Sequence, residues 1–175
     1  MSAQVVSGPV NLNCGFVQSV PGTIAVVPYQ IPLNAAFQTS LNNGTATAGD
    51  IDCIYSKPLT LAAGVTTVNL HSFTDPAGNT VAMARCRFWF LYNTTVTAGY
   101  IINVYTLTGT NPLTWLPIVT TGTLWCPPGG MIMGVDPSST TTNGWVVGSA
   151  ANTFTVDPGA NTCTCQLVIA GNTAA

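Results

Sequence analysis

The stretch VAMARCRFWFLY, residues 81–92, decides the fold. It is the longest strand candidate in the chain. Aromatic and β-branched residues of this kind suit a pleated surface. Alternation sorts Met83, Arg85, Arg87, Trp89 and Leu91 to one face and Ala84, Cys86, Phe88, Phe90 and Tyr92 to the other. Both faces are largely apolar, and one of them fits the core of a sandwich. The Arg/Trp/Met face has the composition of an interface, where those residues are enriched. The competing reading pairs Arg85 and Arg87 with Asp50 and Asp52 inside the domain.

Shorter alternating segments flank this strand. They are Ile51 to Tyr55, Pro58 to Leu61, Val65 to Leu70, Tyr100 to Leu107, Trp115 to Thr120, Met131 to Val135, Trp145 to Gly148, Thr153 to Val156 and Cys163 to Ala170. Ala62-Ala63-Gly64 has the spacing of a hairpin turn. Turn signals fall between the others at Asp75 to Asn79, Pro127 to Gly130 and Asp157 to Gly159, each with Pro ahead of Gly. Asn43-Gly44 and Asn143-Gly144 supply positive φ. Such turns recurring every 10–15 residues or so indicate a sandwich or barrel. Residues 59–68 and 154–163 both read as strand, Gly turn, strand, a shared turn chemistry rather than a repeat.

Composition points the same way. Charged residues are 5% of the 175, against about 25% in an ordinary domain. All five acids are Asp; the bases are Lys57, Arg85 and Arg87, with His71 the one imidazole. The usual surface residues of helices are therefore nearly missing. Mean hydropathy is +0.41, yet no stretch has the length of a spanning helix. Three bases cannot neutralise many phosphates, so no direct nucleic-acid partner is expected; the strand candidates are short and unevenly spaced for a membrane β-barrel, so no membrane partner is expected either. Residues 1–10 show no basic region followed by an apolar run, so no secretory signal is expected.

The first 45 residues differ. Pro9, Pro21, Pro28 and Pro32 punctuate them, a density that excludes central strands. They are expected to form an extended Pro-rich arm or edge region (residues 1–45), ahead of a β-sandwich domain (46–175). A loop-rich part of the same domain is the alternative.

Chemistry-bearing residues are sparse. A triad would have to use His71 with Ser72 and Asp75, but no nucleophile motif accompanies them. Asp50 and Asp52 share a strand face, not a cleft, and no dense acidic spacing marks a calcium loop. No Cys-x-x-Cys pair supports zinc. Neither cofactor, metal nor catalytic residue is expected. Cys14, Cys53, Cys86, Cys126, Cys163 and Cys165 read mainly as small buried hydrophobes, with cross-linking the alternative. Cys163 and Cys165 share a face with Leu167 and Ile169. Trp89, Trp115, Trp125 and Trp145 suit core or interface anchors; a sugar-stacking platform is the rival reading. Asn93-Thr94-Thr95 and Asn43-Gly44-Thr45 match a glycosylation pattern by chance in a Thr-rich chain.

Five segments carry a resemblance: PLTLAAGVTTVNL (58–70) leading into FTDPAGNTVAMAR (73–85), WCPPGG (125–130), NTFTV (152–156) and CQLVIAG (165–171). In strand and turn style they resemble small β-sandwich virion proteins of tailed bacteriophages, including capsid decoration (cement) proteins. The resemblance spans residues 46 to 171. It implies an antiparallel, jelly-roll-like sandwich, made in the host cytoplasm and carried in the virion. Its partners would be copies of itself, a trimer being favoured, and the major capsid protein. Contacts are expected at Arg85, Arg87 and Trp89, at the Pro-rich arm, and at the loop from Asp75 to Asn79. A carbohydrate-binding or host-recognition module of a tail fibre is one alternative. A main shell or filament-forming subunit is another.

Overall fold

The computed structural model describes residues 8–20, 29–43, 50–105, 123–135 and 145–173. The expected strand at Trp115 to Thr120, the Asn43-Gly44 and Asn143-Gly144 turns, Pro21 and Pro28 lie wholly or partly outside them. Every element among the described residues is β. The strands are β1 (Gly8–Val20), β2 (Tyr29–Asn43), β3 (Asp50–Ile51), β4 (Cys53–Leu61), β5 (Thr66–Asn69), β6 (Phe73–Thr74), β7 (Thr80–Val81), β8 (Arg85–Asn93), β9 (Ile102–Tyr105), β10 (Thr123–Cys126), β11 (Met131–Val135), β12 (Trp145–Val146), β13 (Thr153–Asp157) and β14 (Cys163–Asn172).

The chain divides into two compact units. The smaller, Gly8–Leu41, is an antiparallel ribbon of β1 and β2, with Gly8 opposite Leu41 and Val20 opposite Tyr29. Pro9 and Pro32 lie within these strands. A two-stranded ribbon accommodates proline because each strand has an unpaired side where a missing N–H breaks no ladder bond.

The larger unit holds two antiparallel sheets that share one core. One has the order β11-β8-β14-β4, with β12 also paired to β8; the other has the order β10-β9-β13-β5. Leu61, Trp89, Leu91, Leu167 and Ile169 from the first meet Val68, Ile102, Val104, Phe154 and Val156 from the second, all buried. The Trp89 and Phe154 rings stand 5.8 Å apart at 57°. Each such side chain contributes about 1.5–3 kcal/mol by leaving water.

Residues 81–92 do not form one strand. Val81 ends β7, and β8 starts at Arg85. The register of β14 on β8 then shifts between Ala170 and Gly171, which pair with Phe88 and Cys86 and leave Arg87 as an extra residue. This bulge lets Cys86 and Arg87 both turn inward. Gly171 sits where a Cβ would lie against the Arg85 carbonyl oxygen and the Met83 sulfur. No side chain fits there.

The expected hairpin around Ala62-Ala63-Gly64 is not one. β4 and β5 belong to different sheets, so this turn crosses between layers. The same is true of Asp157-Pro158-Gly159, between β13 and β14. The two crossings are tied together by the Gly64 N–H, which donates to the Gly159 carbonyl at 2.9 Å. Gly64 (φ 101°) and Gly159 (φ 69°) adopt the left-handed backbone such corners need. Pro58 is tolerated inside β4 because β4 is the sheet's edge. β10 has no counterpart among the strands expected from sequence.

A second pair of crossings meets at Asn93. Its fully buried side-chain amide donates to the carbonyls of Tyr100 (2.9 Å) and Cys126 (3.2 Å), and its Oδ1 accepts from the Thr95 N–H (3.1 Å). The glycosylation pattern at this asparagine is thus sealed in the fold. Replacing it leaves buried groups unsatisfied, each worth about 1–3 kcal/mol. We expect Asn93→Ala to lower stability by about 2–4 kcal/mol in urea unfolding, with the slope of the transition unchanged.

Candidate interface on the outer face of the sandwich

The two faces of β8 are disposed opposite to the interface expectation. Trp89 is 3% exposed, and Arg87 and Leu91 are fully buried; this is the inward face. Phe88, Phe90 and Tyr92 point outward and are half-buried. The reason lies in the partner layer: the inward rings and branched chains meet Phe154 and the strands beside it. Arg87 shares the inward parity of Trp89 and Leu91, and the bulge turns Cys86 inward beside it. Arg85 is half-buried, and both arginines are engaged by other groups of the chain. Asp52, the described member of the expected ion-pair acids, spends its carboxylate elsewhere. It accepts from the Thr173 backbone N–H (2.8 Å) and from the Thr173 hydroxyl, fastening the end of β14.

Antiparallel register aligns the outward residues of the β11-β8-β14-β4 sheet into rows. Met131, Tyr92, Gln166 and Pro58 form one; Met133, Phe90, Val168 and Ser56 the next; Val135, Phe88, Ala170 and Ile54 the third. Cross-strand neighbours of this kind have their side chains about 5 Å apart. The outer face of a sandwich normally alternates to polar residues. Here the β11 and β8 columns and most of the β14 column are apolar. Met131 is exposed, and Met133, Val135, Phe88, Phe90, Tyr92 and Val168 are half-buried. The sequence signal for this surface was the second apolar face of residues 81–92; the register that joins it to β11 and β14 lies beyond sequence reading.

On the inward side of the same strands, Gly134 pairs with Trp89. A Cβ at 134 would strike the Trp89 indole and approach Trp145. The bare glycine is the slot in which the indole lies. Trp89 and Trp145 are thus spent on the core, and Trp125, 68% exposed, is the outward tryptophan among those described. Trp115 lies outside the described residues. The tryptophans do not converge on one platform.

The loop from Asp75 to Asn79 closes a tight hairpin of β6 and β7. The Gly78 N–H donates to the Asp75 carbonyl (3.0 Å), and the Asp75 N–H to the Asn79 carbonyl (2.9 Å). The carboxylate of Asp75 accepts from the Asn79 backbone N–H (2.8 Å) and side-chain amide (3.1 Å). Asp75 therefore has a structural occupation. His71 is exposed, and its Nδ1 faces the Met83 carbonyl oxygen at 3.3 Å. His71 and Asp75 are each turned to other partners, so no acid–imidazole pair forms between them.

Cys53, Cys86, Cys126, Cys163 and Cys165 are buried free thiols. Burial raises the thiols of Cys53, Cys126 and Cys163 above their ordinary range, with the Asp52 charge adding to Cys53. Cys165 is pushed up to about 12, first by burial and then by its neighbours Cys126 and Cys163. No group of His, Cys or Asp among the described residues is arranged to hold a metal. Comparison with protein-family models, with curated proteins and with solved structures finds no match.

Two measurements test this account. Burial shuts out the reagent, and the raised pKa values of Cys53, Cys126, Cys163 and Cys165 leave little thiolate near neutrality. Iodoacetamide at pH 8 is expected to spare the five buried cysteines in native protein and to label them in denaturant, read by peptide mass spectrometry. Hydrogen bonds from Asn79, chiefly from its backbone N–H, hold the Asp75 carboxyl below its ordinary 3.8. A depressed folded pKa means that the contribution is present above the unfolded value and lost as pH falls through the folded one. The Asn79 backbone amide resonance should be flat from pH 8 to 5 and titrate with a midpoint below 3.8; a midpoint at or above it contradicts the hydrogen-bonded loop.

Proposed function

We propose that this chain is a non-enzymatic virion structural protein, of the capsid decoration (cement) or minor capsid type. Its sandwich is, in this reading, a jelly roll. Lettered B to I in chain order, strands β4, β5, β8, β9, β10, β11, β13 and β14 give sheets of order G-D-I-B and F-E-H-C. That ordering supports a jelly roll, an architecture used by viral capsid proteins and also by lectins and cupins. Fold alone does not carry function.

The observation that carries the functional reading is the apolar outer face of the β11-β8-β14-β4 sheet. A face bearing Phe88, Phe90, Tyr92, Met131 and Met133 gains by being covered. Aromatic residues and Met are what interface centres enrich. A standard interface removes about 800 Å² per partner. Burial of this kind contributes about 25 cal/mol per Å² before the costs of association are met. With a formal net charge of −2, electrostatics neither steer nor strongly oppose the contact. The occupants are copies of the chain itself, a trimer being favoured, and the lattice of a major capsid protein. The N-terminal 45 residues serve, in this reading, as an arm reaching over a neighbour. Synthesis in the host cytoplasm and release in the virion complete the proposal.

Light scattering after size exclusion tests it. We expect wild-type protein to run as a closed oligomer, unchanged by reductant and little changed by salt. Phe90→Glu on the outer face should give a folded monomer that no longer binds capsids. A wild-type monomer that ignores capsids, or an oligomer untouched by Phe90→Glu, overturns the reading.

A further inference from the structure

A groove of about 350 Å³ opens on the seam where the edge strands β4 and β5 part. Tyr55 and Lys57 of β4, Thr67, Val68 and Asn69 of β5, Ser72, Phe73 and Thr74, and Thr80 of β7 line it. Its lining contains four hydroxyl side chains besides that of Tyr55, one carboxamide, one ammonium group and no carboxylate. It uses different residues from the outer face and does not depend on the shell reading.

The ammonium group is the informative part. Lys57 is one of three bases in the whole protein. It stands opposite Leu167 in the register, an inward-facing position, yet it is exposed. Its Nζ lies 5.7 Å from the centre of the Tyr55 ring, held on the groove wall by a cation–π contact. The Tyr55 and Phe73 rings pack edge to face at 5.8 Å and 77°, and both are at most 6% exposed. They form a firm floor but offer no open ring face.

Each feature restricts the ligand. Without an open aromatic face, a neutral sugar has nothing to stack on. A phosphate calls for several cationic donors or a bidentate arginine, and the lining provides one ammonium. A single carboxylate matches one ammonium, and a ring of hydroxyls matches the threonines, Ser72 and Asn69. The volume is at the low end of ligand pockets, about 300–1,000 Å³, and suits one sugar residue rather than a chain. We propose that the groove between β4, β5 and the β6–β7 hairpin binds a single acidic sugar residue, its carboxylate at Lys57 and its hydroxyls at Thr67, Asn69, Ser72, Thr74 and Thr80.

The test is a titration of isotope-labelled protein, followed by amide NMR, with glucuronate and with N-acetylneuraminate. Glucose and acetate serve as controls. We expect saturable shifts confined to the groove residues with at least one of the acidic sugars, at millimolar affinity or about 4 kcal/mol. Glucose and acetate should each bind at least about tenfold more weakly. Lys57→Met and, separately, Thr80→Val should each reduce affinity by a similar factor. Lys57 also has an edge-strand position, where a charge discourages strand pairing. If Lys57→Met leaves binding intact and only promotes association, the ammonium guards the edge and the proposal fails. It fails equally if acetate matches both acidic sugars, if glucose does, or if no saturable shift occurs. Phe90→Glu protein should bind the sugar as wild type does, which separates this result from the assembly experiment.

Discussion

The ladder between β8 and β14 is the constraint on which the larger unit rests. It runs from Cys165 opposite Asn93 to Asn172 opposite Arg85. β11 and β12 hang on β8, and β4 hangs on β14. The inward residues of these two strands, Trp89, Leu91, Leu167 and Ile169, supply one wall of the core. The two strands are distant in sequence, so the chain must close a long loop before the ladder rewards it. The register has little freedom once formed. A slip by one residue would turn Leu91 and Leu167 outward and bring Phe90 and Val168 in. The bulge at Gly171 pins it further, since a larger residue there would meet the Arg85 carbonyl.

A chain with so few charges cannot fasten its loops with ion-pair networks. It uses neutral hydrogen bonds instead. Asn93 gathers the crossings on one side, and the Gly64–Gly159 bond joins those on another. Thr94 and Thr95 reach the Thr164 hydroxyl and backbone across the same seam. Such bonds are short-range and insensitive to salt. The buried thiols fit this pattern: Cys126 donates to the Gly130 carbonyl at 3.2 Å and otherwise packs as an apolar residue.

The same economy shapes the surface. Polar side chains on the inner seam leave a groove with one cation, and apolar side chains on the outer sheet leave a face without charge. The two features are chemically unlike, one polar and cationic and the other apolar and uncharged. Both arise from the parity of a strand: on β4, Tyr55 and Lys57 look toward the seam while Ile54, Ser56 and Pro58 look out.

Sequence alone determined the all-β class, because a chain poor in Glu, Lys and Arg but rich in Thr, Val and aromatics has few helix formers and many strand formers. It placed β11 at Met131–Val135 and located β13, β14 and the Asp75–Asn79 turn closely, because alternation and Pro–Gly chemistry are local signals. The burial of Cys163 and Cys165 was legible from the apolar residues that share their parity. What lay beyond it was which apolar face of residues 81–92 looks inward, since period-two alternation separates two faces without ranking them. Equally hidden were the crossing at Gly64, which has the same local chemistry as a hairpin, and the burial of Cys86 beside Arg87, against the alternation of the strand, which follows from a bulge set by the facing strand. Only the tertiary structure decided these points, because each depends on what packs against the strand rather than on the strand itself.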